Sequence, residues 1–451
     1  MRPVVPAAAA SRLVLMALCC SIGLLTAADY DVTVLLPTSD MPPATSVVAA
    51  ALNNFGQVAG YEVDPKGRRV PLVWTDAIPV KLALPAGYRL TGINSINARG
   101  QVLGAVTLAA TGTQEGILWT DSVPEIIGGA ILGCDAQAAT SVFNLNAAGH
   151  VIGHSKDGSC DVFWILRQGA FIAIAPPEDA LGFNLLGIND ADHIFAYAQT
   201  IAFGPDEIYE IGPGGLVYRF PFPDPFSPVW SLPNNLDQFA ALAIQEGPAY
   251  TYLFTGPSTP VGLPPSTASS IYFSNVNNAG IVYAGGILQR GTTVLAAVTA
   301  ASGFYGNPIL NDGLQFLASN TFGEPPPNAL FTPAFATPAS DVTDQVSLLA
   351  EEVQFHPGTL RYAQKVTLTN LGSDPLTGPV YLVLDQLSPD VALYGLLGTT
   401  VHAKPSGSPY VRVPVSFGAP GQPTTFEVQF LNPDQHAIQW TPRVLAGPGG
   451  Y

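Results

Sequence analysis

His150 and His154 stand four residues apart, a spacing that can hold a metal ion when it falls on a helix. Here the surrounding residues read as a strand, where positions four apart lie about 13 Å from each other and cannot share one ion. The glutamate of an HExxH arrangement is also missing. His150 and His193 therefore read as polar residues flanking turns, as do Gln57, Gln101 and Gln238. Asp190 and Asp192 flank Ala191 in NDADH, a fragment of a calcium-loop pattern without its other ligands. Calcium is the one cofactor left open by the sequence, and otherwise none is expected. Asp206, Glu207 and Glu210 form the densest acidic patch and read as a solvated loop. No GxSxG nucleophile elbow, phosphate loop or dinucleotide fingerprint occurs. The sequence singles out no catalytic, cofactor-binding or metal-binding residue.

The elements around these residues keep a beat. Trp74, Trp119, Trp164, Tyr209 and Phe254 follow one another at intervals of 45 residues, each ending a short apolar run. Asn53, Asn97, Asn146, Asn189, Asn234 and Asn277 open the tetrads NNFG, NARG, NAAG, NDAD, NNLD and NNAG, at spacings of 44, 49, 43, 45 and 43. Asn first with Gly or Asp fourth is the signature of a type I turn closed by a left-handed residue, joining two strands as a hairpin. Gly takes that position without strain, whereas Asp192 and Asp237 tolerate it less well. Seven residues after each Asn comes a small residue, Gly60, Gly104, Gly153, Ala196, Ala241 or Ala284, which predicts close approach of a neighbouring backbone.

Each unit then supplies the aromatic strand, a turn such as TDAIP or TDSVP, and a fourth strand such as VKLAL. Four short strands in about 45 residues make one propeller blade, and a unit this small cannot bury its apolar face alone. The large aromatic is expected between adjacent blades. The fold class is all-β: a six-bladed β-propeller followed by an antiparallel immunoglobulin-like β-sandwich. YDVTVLLP at 30–37 is expected to complete the sixth blade, whose body covers about 269–312, and so to close the ring. Seven blades would need a further unit between Leu310 and Leu330.

Composition supports a chain of strands and turns. Only 11% of residues are charged, 47% are hydrophobic, and Gly and Pro number 45 and 42. Residues 1–28 read as a secretory signal, with Arg2 and Arg12, the apolar run Leu13–Leu25 and the small residues Thr26, Ala27 and Ala28. Thirteen apolar residues fall short of the roughly 20 needed to span a bilayer. Removing the signal takes the net charge from −16 to −18, which disfavours nucleic acid and anionic membranes as partners. It also leaves only Cys134 and Cys160, expected to pair as a disulfide in an oxidising compartment.

Residues 29–320 thus form the repeat domain, and the proline-rich linker 321–340, with FGEPPPNALFTPAFATPAS from Phe322 to Ser340, is expected to run as an extended spacer. Residues 341–451 show period-two alternation at Val366 and Leu368, at Val411, Val413 and Val415, and at Phe426, Val428 and Phe430, the pattern of a sandwich. The segment QKVTLTNLGSDPLTGPVYLVLDQL resembles the immunoglobulin-like modules that end secreted bacterial proteins.

The units ALNNFGQVAGY…LVW, SINARGQVLGA…ILW and NLNAAGHVIGH…VFW resemble the bacterial extracellular repeats called the HAF family, over about 45–310. The name-giving His-Ala-Phe is replaced here by VPLVW, EGILW and CDVFW. The resemblance implies secretion and repeat architecture, and no particular reaction. The resulting expectation is a secreted or cell-surface monomer, not an enzyme, that binds an extracellular glycan or protein through propeller loops. A structural or adhesive spacer, or a polysaccharide hydrolase or lyase with acids converging on the propeller axis, are the alternatives.

Overall fold

A computed structural model describes residues 30–38, 46–199, 206–221, 229–244, 249–255, 261–263, 273–284, 287–291, 293–297, 309–318, 328–333, 339–376, 378–414, 417–447 and 451. The signal expected at residues 1–28 lies outside them. No helix among the described residues is long and apolar enough to cross a membrane.

Among the described residues, seven four-stranded antiparallel sheets follow one another along the chain. The first runs Ser46–Leu52, Val58–Val63, Arg69–Thr75 and Ile78–Lys81, and the next five repeat the plan up to Thr293–Ala297. The seventh joins Ile309–Leu310, Phe316–Ala318 and Ala329–Pro333 to Tyr30–Val34. This corrects two expectations. Tyr30–Val34 does pair with the far end of the repeat domain, but with Ala329–Pro333, because the sixth sheet already has four strands of its own. Ala329–Pro333, inside the stretch expected as a spacer, is a strand, since Ala329, Leu330 and Phe331 bury their side chains against the ring.

The aromatic beat is the packing between sheets. Trp119 clusters with Ala51 and Ala59 of the first sheet and with Leu82 just after it, and Trp164 with Leu103, Leu118 and Ile127 of the second. Trp74 meets Leu317 and Leu330 of the seventh sheet, so the same contact closes the ring. Trp74, Trp119, Trp164, Tyr209 and Phe254 are all fully buried. The indole N–H of Trp74 and of Trp119 reaches the carbonyl of Leu36 and of Ala83, in the connections that lead into the first and second sheets. Burying each ring satisfies its one polar atom as well.

Gly60, Gly104 and Gly153, each seven residues after its Asn, are closely approached, as expected. A Cβ on Gly60 would lie 2.1 Å from the Val48 carbonyl oxygen, and one on Gly153 would lie 2.2 Å from the Trp164 ring. At Gly60 the crowding comes from the inner strand of its own sheet, which bulges between Ala49 and Ala51.

Residues 340–446 form two further sheets of five strands each. Val366, Leu368, Val428 and Phe430 of one face Leu382, Leu384 and Val444 of the other, all buried. The same apolar cluster continues into Ile281, Phe316 and Phe331 of the repeat ring. The two halves therefore share one core instead of standing apart on a spacer.

Candidate functional site

The Asn that opens each tetrad does two jobs. Its side-chain oxygen accepts from backbone N–H groups two and four residues on, as Asn53 does from Phe55 and Gln57, which holds the turn shut. Its side-chain N–H donates to the backbone carbonyl of the next tetrad's Asn. These donations run Asn53 to Asn97, then Asn146, Asn189, Asn234, Asn277 and Asn311, at 2.8–3.2 Å. Asn311 returns to Asn53 at 2.9 Å, so the circuit closes with seven members.

Asn311 opens a tetrad that the periodicity did not reveal, Asn311-Asp312-Gly313-Leu314. It follows Asn277 by only 34 residues, and its fourth position is Leu314 at φ 59°. A usable signal was present in Gln315, four residues after Asn311 like Gln57 after Asn53. In each case the Asn amide donates to the Gln side-chain oxygen and the Gln amide donates to a threonine, Thr332 or Thr75.

That relay explains the histidines and the strained aspartates. Where Gln is replaced by His150 or His193, the amide of Asn146 or Asn189 finds its acceptor in Asp192 or Asp237, the fourth residue of the next tetrad. His150 Nδ1 and His193 Nδ1 share those carboxylates at 2.7 and 2.9 Å. Asp therefore replaces Gly at φ 61° and 57° because its carboxylate supplies what the neighbouring Gln no longer can. Glu210, buried and 3.0 Å from His193 Nδ1, takes the place of the threonine. Burial opposes charge on His193, but Asp237 and Glu210 outweigh it and push its pKa up to about 10. Among the described residues, the ligand atoms of His193, Glu210 and Asp237 lie within 4.8 Å of one another, one of two groups close enough to hold a cation; the other contains the disulfide-bonded Cys134 and Cys160. Asp190 and Asp192, where calcium was left open, instead accept from protein donors: Ala147 N and Asn235 Nδ2 on one, Asn146 and His150 on the other.

The second tetrad position makes an inner belt. Asp312 accepts from Asn54 Nδ2 at 2.6 Å and from Asn278 N and Nδ2 at 2.6 and 3.0 Å. Asn235 pairs with Asp190 at 2.9 and 2.8 Å. Burial pushes both the Asp190 and the Asp312 carboxyls above the usual carboxylate value, and the charge of Asp190 adds to the rise at Asp312.

The sandwich sits on this tetrad face. Asp434 receives His150 Nε2 at 2.9 Å, Arg167 Nη2 at 3.0 Å and Gln168 Nε2 at 2.9 Å, while Arg99 pairs with Asp390. Phe55 packs onto Gly407, where any Cβ would clash with its ring. Between belt and sandwich remains a cavity of about 320 Å³. Its floor is Asn54, Ala98, Ala147, Asp190, Asn235 and Asn278, and its roof includes Leu387, Val391 and Leu396. No local pattern announced this covering, because Asp434 and Asp390 lie in ordinary surface-turn contexts. The disulfide Cys134–Cys160 forms as expected, tying the connection that precedes the third sheet to the loop between its middle strands.

No family model matches the chain, and no curated relative matches it. Among solved structures it is similar to the apo form of prolyl oligopeptidase B from Galerina marginata, at 9% identity and a TM-score of 0.44, over 74% of this chain and 57% of that one. A puromycin-hydrolysing peptidase from Mycobacterium tuberculosis matches at 10% identity and a TM-score of 0.43, over 76% and 64%. A gluconolactonase from Xanthomonas campestris matches at 12% identity and a TM-score of 0.34, over 74% and 98%. The chain spans little more than half the length of the first of these.

Proposed function

We propose that the protein is a secreted, non-catalytic binding protein, a seven-bladed β-propeller whose immunoglobulin-like sandwich is seated on the tetrad face and encloses a ligand. The observation that carries this reading is the 320 Å³ cavity, with a floor of amides and one carboxyl, Asp190, from the tetrads and an apolar roof. A sugar ring has the matching halves, a hydroxyl edge for the floor and a C–H face for the roof, so a glycan unit is the ligand class that fits. The volume lies at the lower end of the roughly 300–1,000 Å³ typical of small-molecule sites. The floor's one carboxyl, Asp190, is engaged by neighbouring tetrads, which suits holding a ligand better than turning one over.

A glycan array with residues 29–451, followed by calorimetric titration of any hit, tests the reading. Ala98→Trp or Ala147→Trp should fill the chamber and weaken binding at least tenfold. Binding indifferent to both would remove the chamber from the account, and silence would favour a structural spacer. One observation favours a second reading as a polysaccharide hydrolase: Asp190 and Asp312 reach the channel mouth from the fourth and seventh sheets with raised pKa values, as an acid–base pair would. Sugar release abolished by Asp312→Asn would establish it.

A further inference from the structure

We propose that a second cavity, between the sixth sheet and the sandwich, binds the carboxylate of a small cyclic organic acid through Arg290 and Arg412. This site stands apart from the chamber on the tetrad face: none of its lining residues lines that chamber.

The chain carries 33 acids against 17 lysines and arginines, so a cation has partners to spare. Arg68, Arg99, Arg167, Arg219 and Arg443 each have a carboxylate within ion-pair distance. Arg290 and Arg412, both half-buried, have none among the described residues. Arg290 Nε is buried with no acceptor at all. Burial pulls its guanidinium below the usual arginine value. A buried guanidinium N–H left without an acceptor costs stability unless something arrives to pair with it.

Both arginines line one cavity of about 490 Å³, together with Tyr394, Phe426 and Gln429. Arg361 lies 3.4 Å over the Tyr394 ring and donates to Gln429 Oε1 at 3.3 Å. The lining's one carboxylate, exposed Glu427, accepts Gln429 Nε2 at 2.7 Å. Two guanidiniums thus line a space that offers one acid, with that of Arg361 held against its Tyr394 and Gln429, in a chain whose net charge is −16. Guanidinium forks match the two oxygens of a carboxylate, and the Tyr394 and Phe426 side chains offer apolar surface to a ring carrying it. A hexuronic acid has both parts and fits the volume.

The test is calorimetric titration of residues 29–451 with D-glucuronate and D-galacturonate, using D-glucose and inorganic phosphate as comparison probes. A uronate should bind more tightly than glucose in the Ala98→Trp variant, whose chamber is filled, and added sodium chloride should weaken the interaction. Arg290→Gln and Arg412→Gln should each lower affinity at least tenfold, and Arg412→Lys should retain part of it. Because Arg290 is partly buried, the Arg412 pair keeps the test decisive if Arg290→Gln fails to fold. Failure of both uronates to bind, binding unchanged in Arg412→Gln, or phosphate binding more tightly than either uronate would overturn the proposal. Ala98→Trp should leave uronate binding intact, so failure here is distinguishable from failure of the chamber.

Discussion

Asn311 donates its side-chain amide to the backbone carbonyl of Asn53, 258 residues away in sequence, at 2.9 Å. That bond joins the last tetrad to the first, and Tyr30–Val34 pairing with Ala329–Pro333 joins the same ends at the level of the sheet. Asn311→Ala should remove the donor to Asn53 and the acceptor for Gln315 N at once. Leaving such buried partners unpaired costs about 1–3 kcal/mol each. Urea unfolding should show a lower midpoint with an unchanged slope. A midpoint within error of the parent would mean that the circuit contributes nothing.

His193 and Asp237 form a matched exchange for the Gln and Gly found in sibling repeats. His193→Gln alone should destabilise by about 1–3 kcal/mol, because Asp237 and buried Glu210 lose their shared donor. Adding Asp237→Gly restores both the Gln acceptor and an unstrained left-handed turn, so the double variant should recover at least half of the loss. Additive losses in a double-mutant cycle would refute the exchange.

Acid and alkali should loosen different places. Burial alone would raise the Asp434 carboxyl, but His150 and Arg167 hold it below the usual value of 3.8. Its contribution is present above that value and is lost as pH falls towards its depressed folded value. His193 is raised from 6.5 to about 10, so its contribution is complete below 6.5 and is lost as pH rises through about 10. Stability measured from pH 3 to 10.5 should show the acid-side loss flattened in Asp434→Asn and the alkaline loss flattened in His193→Gln.

Cys134–Cys160 closes a loop with a sequence separation of 26. Chain entropy assigns such a closure about 3 kcal/mol. Replacing both cysteines by Ser, or adding a reductant, should lower the melting temperature by several degrees while leaving the sheets intact by circular dichroism. No change on reduction would show that the bond contributes nothing to the fold.

The repeat was legible because Trp74, Trp119 and Trp164 must fill equivalent spaces between sheets, and a spacing constraint of that kind writes itself into sequence. The seventh unit was not, since its interval shrinks to 34 residues and no tryptophan marks it. Only the pair Asn311 and Gln315 carried the signal. The alternation at Val366 and Leu368 announced a sandwich, but its seat on the tetrad face depends on Asp434 meeting His150 and Arg167, contacts 267 and more residues apart in sequence that no local pattern encodes. The histidines were rightly read as turn residues. Their aspartate partners became intelligible only when consecutive tetrads were seen side by side.

Ring and sandwich share one apolar core, and the chamber proposed to hold ligand lies between them. Scanning calorimetry of residues 29–451 tests it most directly: one cooperative transition is expected, with Asp434→Ala lowering it or splitting it in two. Two independent transitions in the unaltered protein, with the ring's transition indifferent to Asp434→Ala, would contradict the account.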